Sequence, residues 1–376
     1  MGSSNYALKE DCHSFFELLQ VASSYRVFLS GVMTDEEWKA IFAIAQKQAV
    51  VGFAFDALEG IVRQGQKIPQ ALLFEWIGLS EQIKQRNRLV SQRCKQLEKL
   101  FVDGGFRCCV LKGQGTAFYY QNPLCRQSGD IDVWVTKDGR CKTDDVRSEV
   151  LSFFKGNGYH IGHVDIKHSD VDIFEDVPVE VHFIPSWMYS PPKNKILQSF
   201  FDMQADKQFK NFDKNAGFTH ATLDFDLVFS LVHIYRHVFD EGIGLRQLLD
   251  YYHILIHSKQ TQREDAYKVL VDLGMCSFVG GVMWVLKECF GLEEDYFLCS
   301  SNEKHGRFLL SEIMIAGNFG HYDTRLKHQS KEKRWSNGFI QLKRNLHFLF
   351  FYPSEVLWSP FWKIWHYCWR KWKGYL

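Results

Sequence analysis

The chain has almost no excess of either charge. Its 45 Lys and Arg stand against 44 Asp and Glu, a net +1 with histidine neutral. No global field therefore draws it to nucleic acid, and any anion site must be local. It contains no apolar run of 18 residues or more, so no spanning helix is expected. Its start, MGSSNYALKEDCHSFF, lacks a basic stretch followed by an apolar one and is not expected to be a secretory signal. Its ten cysteines form no CxxC pair and no regular framework, and a reducing cytoplasm is the expected setting. No HExxH pattern, internal repeat or low-complexity segment occurs. Nothing matches a module that reads nucleic-acid sequence.

What is abundant is aromatic side chains, 32 Phe and 11 Trp among 376 residues, which predicts aromatic-rich cores. Residues 11–104 read as mostly helical. Thr34 and Glu37 in TDEEWKAIF form a capping-box pattern. Pro69 opens a further helix, and a long amphipathic one runs from about Ser80 to Gly104 and Gly105. The composition then shifts. FRCCVL is a short β-run, GDIDVWV a second strand, TDDVRSEVLSFFKGNGY a helix, and the stretch to VPVEVHFI two or three strands. After Pro185 the pattern turns helical to the end, with Gly242 and Gly244 splitting two helices. The expected plan is α+β: a small mixed sheet at 106–186, between helical regions 1–105 and 187–376.

Asp130 and Asp132 stand two apart in an otherwise apolar strand, so both project from one face. Two like charges at a core margin repel and are costly to desolvate, and something positive must offset them. Glu180, with His182 on the same face, lies in a later strand. Three carboxylates make an oxygen-rich site for Mg²⁺ or Mn²⁺, ions that bridge to phosphates. On this reading bound metal neutralises the aspartates, and their change to Asn leaves the fold intact or stabilises it. Lys112 and Gly113 end the preceding β-run. Arg126, Ser128 and Gly129 lead into the Asp strand. A glycine turn and two cations are the groups expected to hold a triphosphate.

These residues resemble a known superfamily. GDIDVWV is similar to the hDhDh strand of the DNA-polymerase-β-like nucleotidyltransferases. The wider pattern LKG…YY…P..R..GDIDVWV…VEVHF resembles an uncharacterised bacterial nucleotidyltransferase family, as do LVHIYRHVFDEGIGLRQLLDYYHIL and IAGNFGH downstream. The resemblance implies a pol-β-like sheet and transfer of a nucleoside monophosphate from an NTP, with ATP among the candidate donors, to an acceptor hydroxyl. It makes Asp130, Asp132 and Glu180 metal ligands and catalytic residues, with Glu180 or Asp132 the proton acceptor. Lys112 and Gly113 fall on the nucleotide side. One departure stands out. The superfamily's small-residue turn sits some ten residues before the first aspartate, whereas Lys112-Gly113 lies farther upstream without a serine, and Ser128-Gly129 abuts Asp130.

Asp170, Asp172 and Glu175 are rivals to Glu180. His160, His163, His168 and His182 match no compact zinc set and read as structural or exposed, His182 excepted as a site-lining residue. His233 and His237, like Arg246 and Asp250, are four apart on helices. They are expected either to pack or pair locally or to line an acceptor pocket. Arg126 either pairs with a site aspartate or serves a phosphate. The basic stretch TRLKHQSKEKRW (324–335) reads as a solvated loop. A non-catalytic nucleotide-binding protein on the same fold, and a membrane-surface or partner-docking protein, are the alternatives. The last concerns LWSPFWKIWHYCWRKWKGYL, where a helix starting at Pro360 is expected to pack its tryptophan face on the protein rather than on lipid.

Overall fold

A computed structural model describes residues 10–137, 143–323 and 346–375. The chain opens with helices α1 (Glu10–Ala22), α2 (Asp35–Lys47), α3 (Val51–Asp56), α4 (Leu58–Arg63) and α5 (Gln70–Asp103). Then come β1 (Arg107–Leu111), α6 (Gln114–Ala117), β2 (Ile131–Thr136), α7 (Thr143–Gly156), β3 (Ile161–Val164), β4 (His168–Val171) and β5 (Val179–His182). Helices α8 (Pro191–Phe209), α9 (Leu223–Asp240), α10 (Leu245–His257), α11 (Gln260–Asp272), α12 (Cys276–Phe290), α13 (Glu303–Ala316) and α14 (Pro353–Lys373) complete it. Helix α2 starts on the reciprocal cap its sequence offers: Thr34 accepts from the Glu37 N–H, and Glu37 accepts from the Thr34 N–H at 2.7 Å. Two of the N-terminal elements differ from expectation. The helices placed near Pro69 and Ser80 are one, because burial of Leu72, Trp76, Val90 and Phe101 outweighs the roughly 1 kcal/mol that Gly78 costs within a helix. Helix α1 stops at Ala22, although the helical apolar spacing of FFELLQVASSYRVFL runs on to Leu29. There Ser23 Oγ donates to Phe290 O at 2.7 Å and Ser24 takes a φ of 64°.

These five strands form one mixed sheet in the order β1-β2-β5-β4-β3, with β2 parallel to β5 and the other neighbours antiparallel; Phe212–Asp213 and Phe218–Thr219 pair separately as a short antiparallel ribbon. Alternation divides its faces. Cys108, Val110, Val133, Val135 and Val181 pack with Phe101, Val150 and Phe154 of α5 and α7. On the opposite face Cys109, Leu111 and Trp134 join a second, larger cluster. Trp134 lies 4.6 Å from Phe209 and 5.9 Å from Phe225. That cluster also takes Phe15, Trp38 and Phe53 from the N-terminal helices and Leu231, Leu248, Met283 and Leu309 from α9 to α13. The first and third segments of the chain thus share one core, wrapped against one face of the sheet. The polar residues on that face are therefore held between sheet and helices.

Buried among the C-terminal helices is Asp226, 1 % exposed in the first turn of α9, with its Oδ1 lacking a hydrogen-bond partner. Burial pushes its carboxyl up to about 8, and the Asp250 charge adds to the rise. The folded protein therefore keeps a proton that the unfolded chain releases. Stability is lost as pH rises from the ordinary Asp range to about 8, with a slope of about 1.4 kcal/mol per pH unit. Asp226→Asn removes this dependence. Between pH 6 and 8 the variant should gain on the order of 2–3 kcal/mol relative to the parent. Denaturant titrations at the two pH values measure it, and an unchanged gap would place the proton elsewhere.

Helix α14 departs most from expectation. It begins at Pro353, with Pro360 inside it. Its first turn is fixed by Glu355, fully buried, which accepts from the Tyr189 N–H at 2.9 Å and lies 3.4 Å from Arg236. This anchor sets the rotation of the helix about its axis. Trp365 then stacks on Trp187 at 6.2 Å, Trp362 lies 5.1 Å from Tyr189, and the Arg147 guanidinium sits 4.9 Å over Trp369. Leu357, Trp358, Phe361, Ile364 and Trp372 are left exposed. The basic stretch 324–335 lies outside the described residues.

Candidate active site

Strand register assembles the polar residues in rows. Asp132 of β2 pairs with Glu180 of β5, which pairs with Asp170 of β4. In the next row lie Trp134, His182 and His168. Registered neighbours share a face, so all six point toward the helical side. Asp130, one residue ahead of β2, joins them: one carboxylate oxygen each of Asp130, Asp132 and Glu180 lies within 4.8 Å of the others. Asp132 is buried, whereas the Glu180 side chain is 33 % exposed and the Asp170 side chain 50 %. The row opens to solvent on that side. The rivals Asp172 and Glu175 are exposed, and Asp172 pairs with His160 at 2.8 Å.

The question of what offsets the aspartates has an answer within the chain. Lys112 Nζ lies 2.8 Å from Asp132 Oδ2, and His182 Nε2 lies 3.0 Å from Oδ1. Burial alone would raise the Asp132 carboxyl; Lys112 and His182 outweigh it and hold it below the usual range. Burial opposes charge on His182, yet hydrogen bonds to Asp132 and Glu180 push it up to about 9. Burial likewise opposes charge on Glu180, and His182 and His168 hold it down to about 2. Attraction to two protein cations, not repulsion between carboxylates, dominates at Asp132. Lys112 reaches it from a strained backbone, φ 40°, followed by Gly113 at φ 58°. A non-glycine residue in that region is uncommon and marks a position held by its surroundings.

The remaining candidates divide. His233 Nε2 of α9 lies 3.3 Å from Lys112 Nζ, and its ring packs 4.3 Å from that of His237. Arg246 of α10 donates to Gln127 O at 3.0 Å, and a Cβ at Gly129 would stand 3.5 Å from its guanidinium. These residues border the carboxylates. Ser128 is at the same loop, its Oγ buried and without a hydrogen-bond partner. Arg126 and Asp250 spend their charges on each other: Arg126 forks onto Asp250 at 2.7 and 2.8 Å, and Tyr120 donates to the same carboxylate at 2.6 Å. Arg126 thus pairs with neither site aspartate, and Asp250 does not pair with Arg246 four residues earlier. The longer reach across elements wins because Arg126 presents two parallel N–H groups to one carboxylate.

Two features escape sequence reasoning. His168 and His182 are cross-strand partners, and with Glu180 they form a second donor group within 4.8 Å. Spacing along the chain conceals this pair; the alternation in HSDV and VEVH, once the strands are aligned, reveals it. The segment Gly317–His321 packs on the α9–α10 turn, with Phe319 5.1 Å under the Arg246 guanidinium and 5.8 Å from His237. Gly242, at φ 111°, admits this approach, since a Cβ there would stand 2.8 Å from the Ala316 Cβ. So the IAGNFGH stretch supports Arg246 from behind.

The three carboxylates, all oxygen donors, fit a hard divalent ion, and an ion taking Asp132 as ligand would compete with Lys112 and His182. No curated protein sequence matches the chain. Residues 34–291 match the sequence model of a family described as "Uncharacterised nucleotidyltransferase". That span contains every residue of the carboxylate row, Lys112 and Arg246, and it covers well over half of the chain. The chain therefore belongs to this uncharacterised nucleotidyltransferase family.

Proposed function

We propose that the protein transfers a nucleoside monophosphate from an NTP to an acceptor hydroxyl, releasing pyrophosphate, at the site built from Asp130, Asp132 and Glu180 on a pol-β-like sheet. The convergence of these carboxylates within 4.8 Å on the sheet face turned toward the helices carries the reading. Mg²⁺ or Mn²⁺ held by these carboxylates would neutralise the charge that develops on the phosphate during transfer. Asp132 stays ionised through Lys112 and His182. Glu180, partly open to solvent and ionised, is the carboxylate placed to accept the acceptor's proton. Arg246, beside Gly129 and Asp130, offers a guanidinium to the triphosphate. The acceptor enters between the sheet and helices α9 and α10. A sugar, an antibiotic-like small molecule, a peptide or a protein hydroxyl are its candidate classes.

The test is a panel of the four α-labelled NTPs with Mg²⁺ or Mn²⁺, scanning cell extract for a species that gains label. A second reading is favoured by the two cations already at Asp132 and by the turn without serine: a nucleotide-binding protein without turnover. Metal-dependent NTP binding with no labelled product from any extract supports that reading; no NTP binding at all removes both. Arg246→Ala should weaken NTP binding about tenfold, as expected for loss of a charge-assisted contact. A matching loss of thermal stability with binding intact would make Arg246 structural.

A further inference from the structure

Most of the side chains that helix α14 shows to solvent are apolar. Leu357, Trp358, Phe361, Ile364, Trp365 and Trp372 are all exposed, Phe361 at 67 %, Ile364 at 66 % and Trp372 at 79 %. At 100° per residue they fall on one face. Trp358, Trp365 and Trp372 recur every seven residues, a row of indoles about 21 Å long at 1.5 Å per residue. Several polar residues of the same helix point inward instead. Glu355 is fully buried, His366 is stacked between Trp362 at 4.6 Å and Trp369 at 5.9 Å, and Arg370 donates to Tyr375 O at 2.9 Å. For a helix on a water-soluble body this is the reverse of the usual arrangement.

We propose that α14 docks the protein on an anionic membrane surface, with its indole row in the headgroup layer and its axis in the membrane plane. Among the described residues no helix is long and apolar enough to cross a bilayer, so α14 would lie on the membrane rather than span it. Indoles favour this interface because an apolar ring meets lipid while the N–H stays near water. Charge points to the same occupant. Helix α14 itself carries Lys363, Arg370, Lys371 and Lys373 against one acid, the buried Glu355, although the whole chain is nearly neutral. Lys371 stands exposed at the margin of the apolar face. Each basic residue near an anionic surface contributes about 1 kcal/mol. A second copy is the poorer occupant, since pairing α14 with α14 would bring together two helices of like, basic charge. The proposal is independent of the nucleotidyl-transfer reading.

The full chain should co-sediment with phosphatidylcholine vesicles containing phosphatidylglycerol, and far less with phosphatidylcholine alone. Combining Phe361→Ser, Ile364→Ser and Trp372→Ser should lower partitioning at least about tenfold with an unchanged melting temperature, since all three side chains are already in water. Lys371→Glu should lower it on anionic vesicles only. Failure of the parent protein to bind anionic vesicles, or binding indifferent to the triple change, overturns the proposal. Sedimentation velocity without lipid supplies a separate check: a dimer dissolved by the triple change, and not competed by vesicles, would assign the face to a second copy and also overturn it.

Discussion

Asp130→Asn is expected to cut Mg²⁺-dependent NTP binding and transfer by about 100-fold or more while the melting temperature stays near that of the parent. Asp132→Asn should lose as much activity but also unfold at a lower temperature. The difference follows from position. Asp130 lies ahead of β2, half-buried, with one carboxylate oxygen within 4.8 Å of those of Asp132 and Glu180. Asp132 is 1 % exposed and neutralises Lys112 and His182 across 2.8 and 3.0 Å. Asn at 132 leaves those cations short of a counter-charge in a place water does not reach, at a cost of about 2 kcal/mol or more. Relief of like-charge repulsion, the effect expected from sequence, is the smaller term, because the folded structure holds Asp132 ionised rather than protonated. Isothermal titration with a non-hydrolysable NTP, with thermal melts of both variants, separates the two effects. Full Mg²⁺-dependent binding in both variants would remove the carboxylate row from the proposed chemistry. Equal melting temperatures would mean that Lys112 and His182 find other partners.

The parts legible in sequence were those that depend on short range. Alternation in DIDVWV and VEVH gave the strands and the face of their acids, and the Thr34–Glu37 cap and the Gly242–Gly244 break came from local chemistry. What sequence could not order was partnership between elements. Arg126, Asp250, Lys112 and His168 each take a partner that periodicity does not reveal: Asp250 for Arg126, Asp132 for Lys112, and β5 beside β4 for His168. Pairings of this kind depend on which strands and helices become neighbours, and the order β1-β2-β5-β4-β3 is not the chain order. The tryptophan stripe of α14 shows the same limit. Its periodicity was readable, but the rotation that turns it outward is set by Glu355 reaching Tyr189, 166 residues away.

Asp250→Ala is expected to destabilise the protein by about 3–5 kcal/mol, the usual penalty for stranding a buried charge. Arg126 is 5 % exposed, and its Nε and Nη2 both end on Asp250. Burial opposes ionisation of Asp250, but Arg126 holds its carboxyl below the usual range, so two full charges sit in the core and each depends on the other. Tyr120 adds a third group to the same carboxylate, and its ring lies 3.9 Å from that of His253. Removing the carboxylate leaves a guanidinium and a phenol without an acceptor. Replacing both ends, as Arg126→Met with Asp250→Leu, removes the stranded charge and should restore most of the loss. A consequence for activity follows from the backbone. Arg126 O accepts from Asn87 of α5, and the loop 127–129 leads from this anchor to Asp130. If the ion pair fixes that loop, the single variant should lose NTP binding below its unfolding transition, and the double variant should recover stability more fully than binding. Urea titrations of the two variants, with NTP affinity measured well below the midpoint, test both statements. A single variant as stable as the parent would show that Arg126 reaches water once Asp250 is gone. A double variant no more stable than the single would show that the shape of the ion pair, and not its charge, holds the loop.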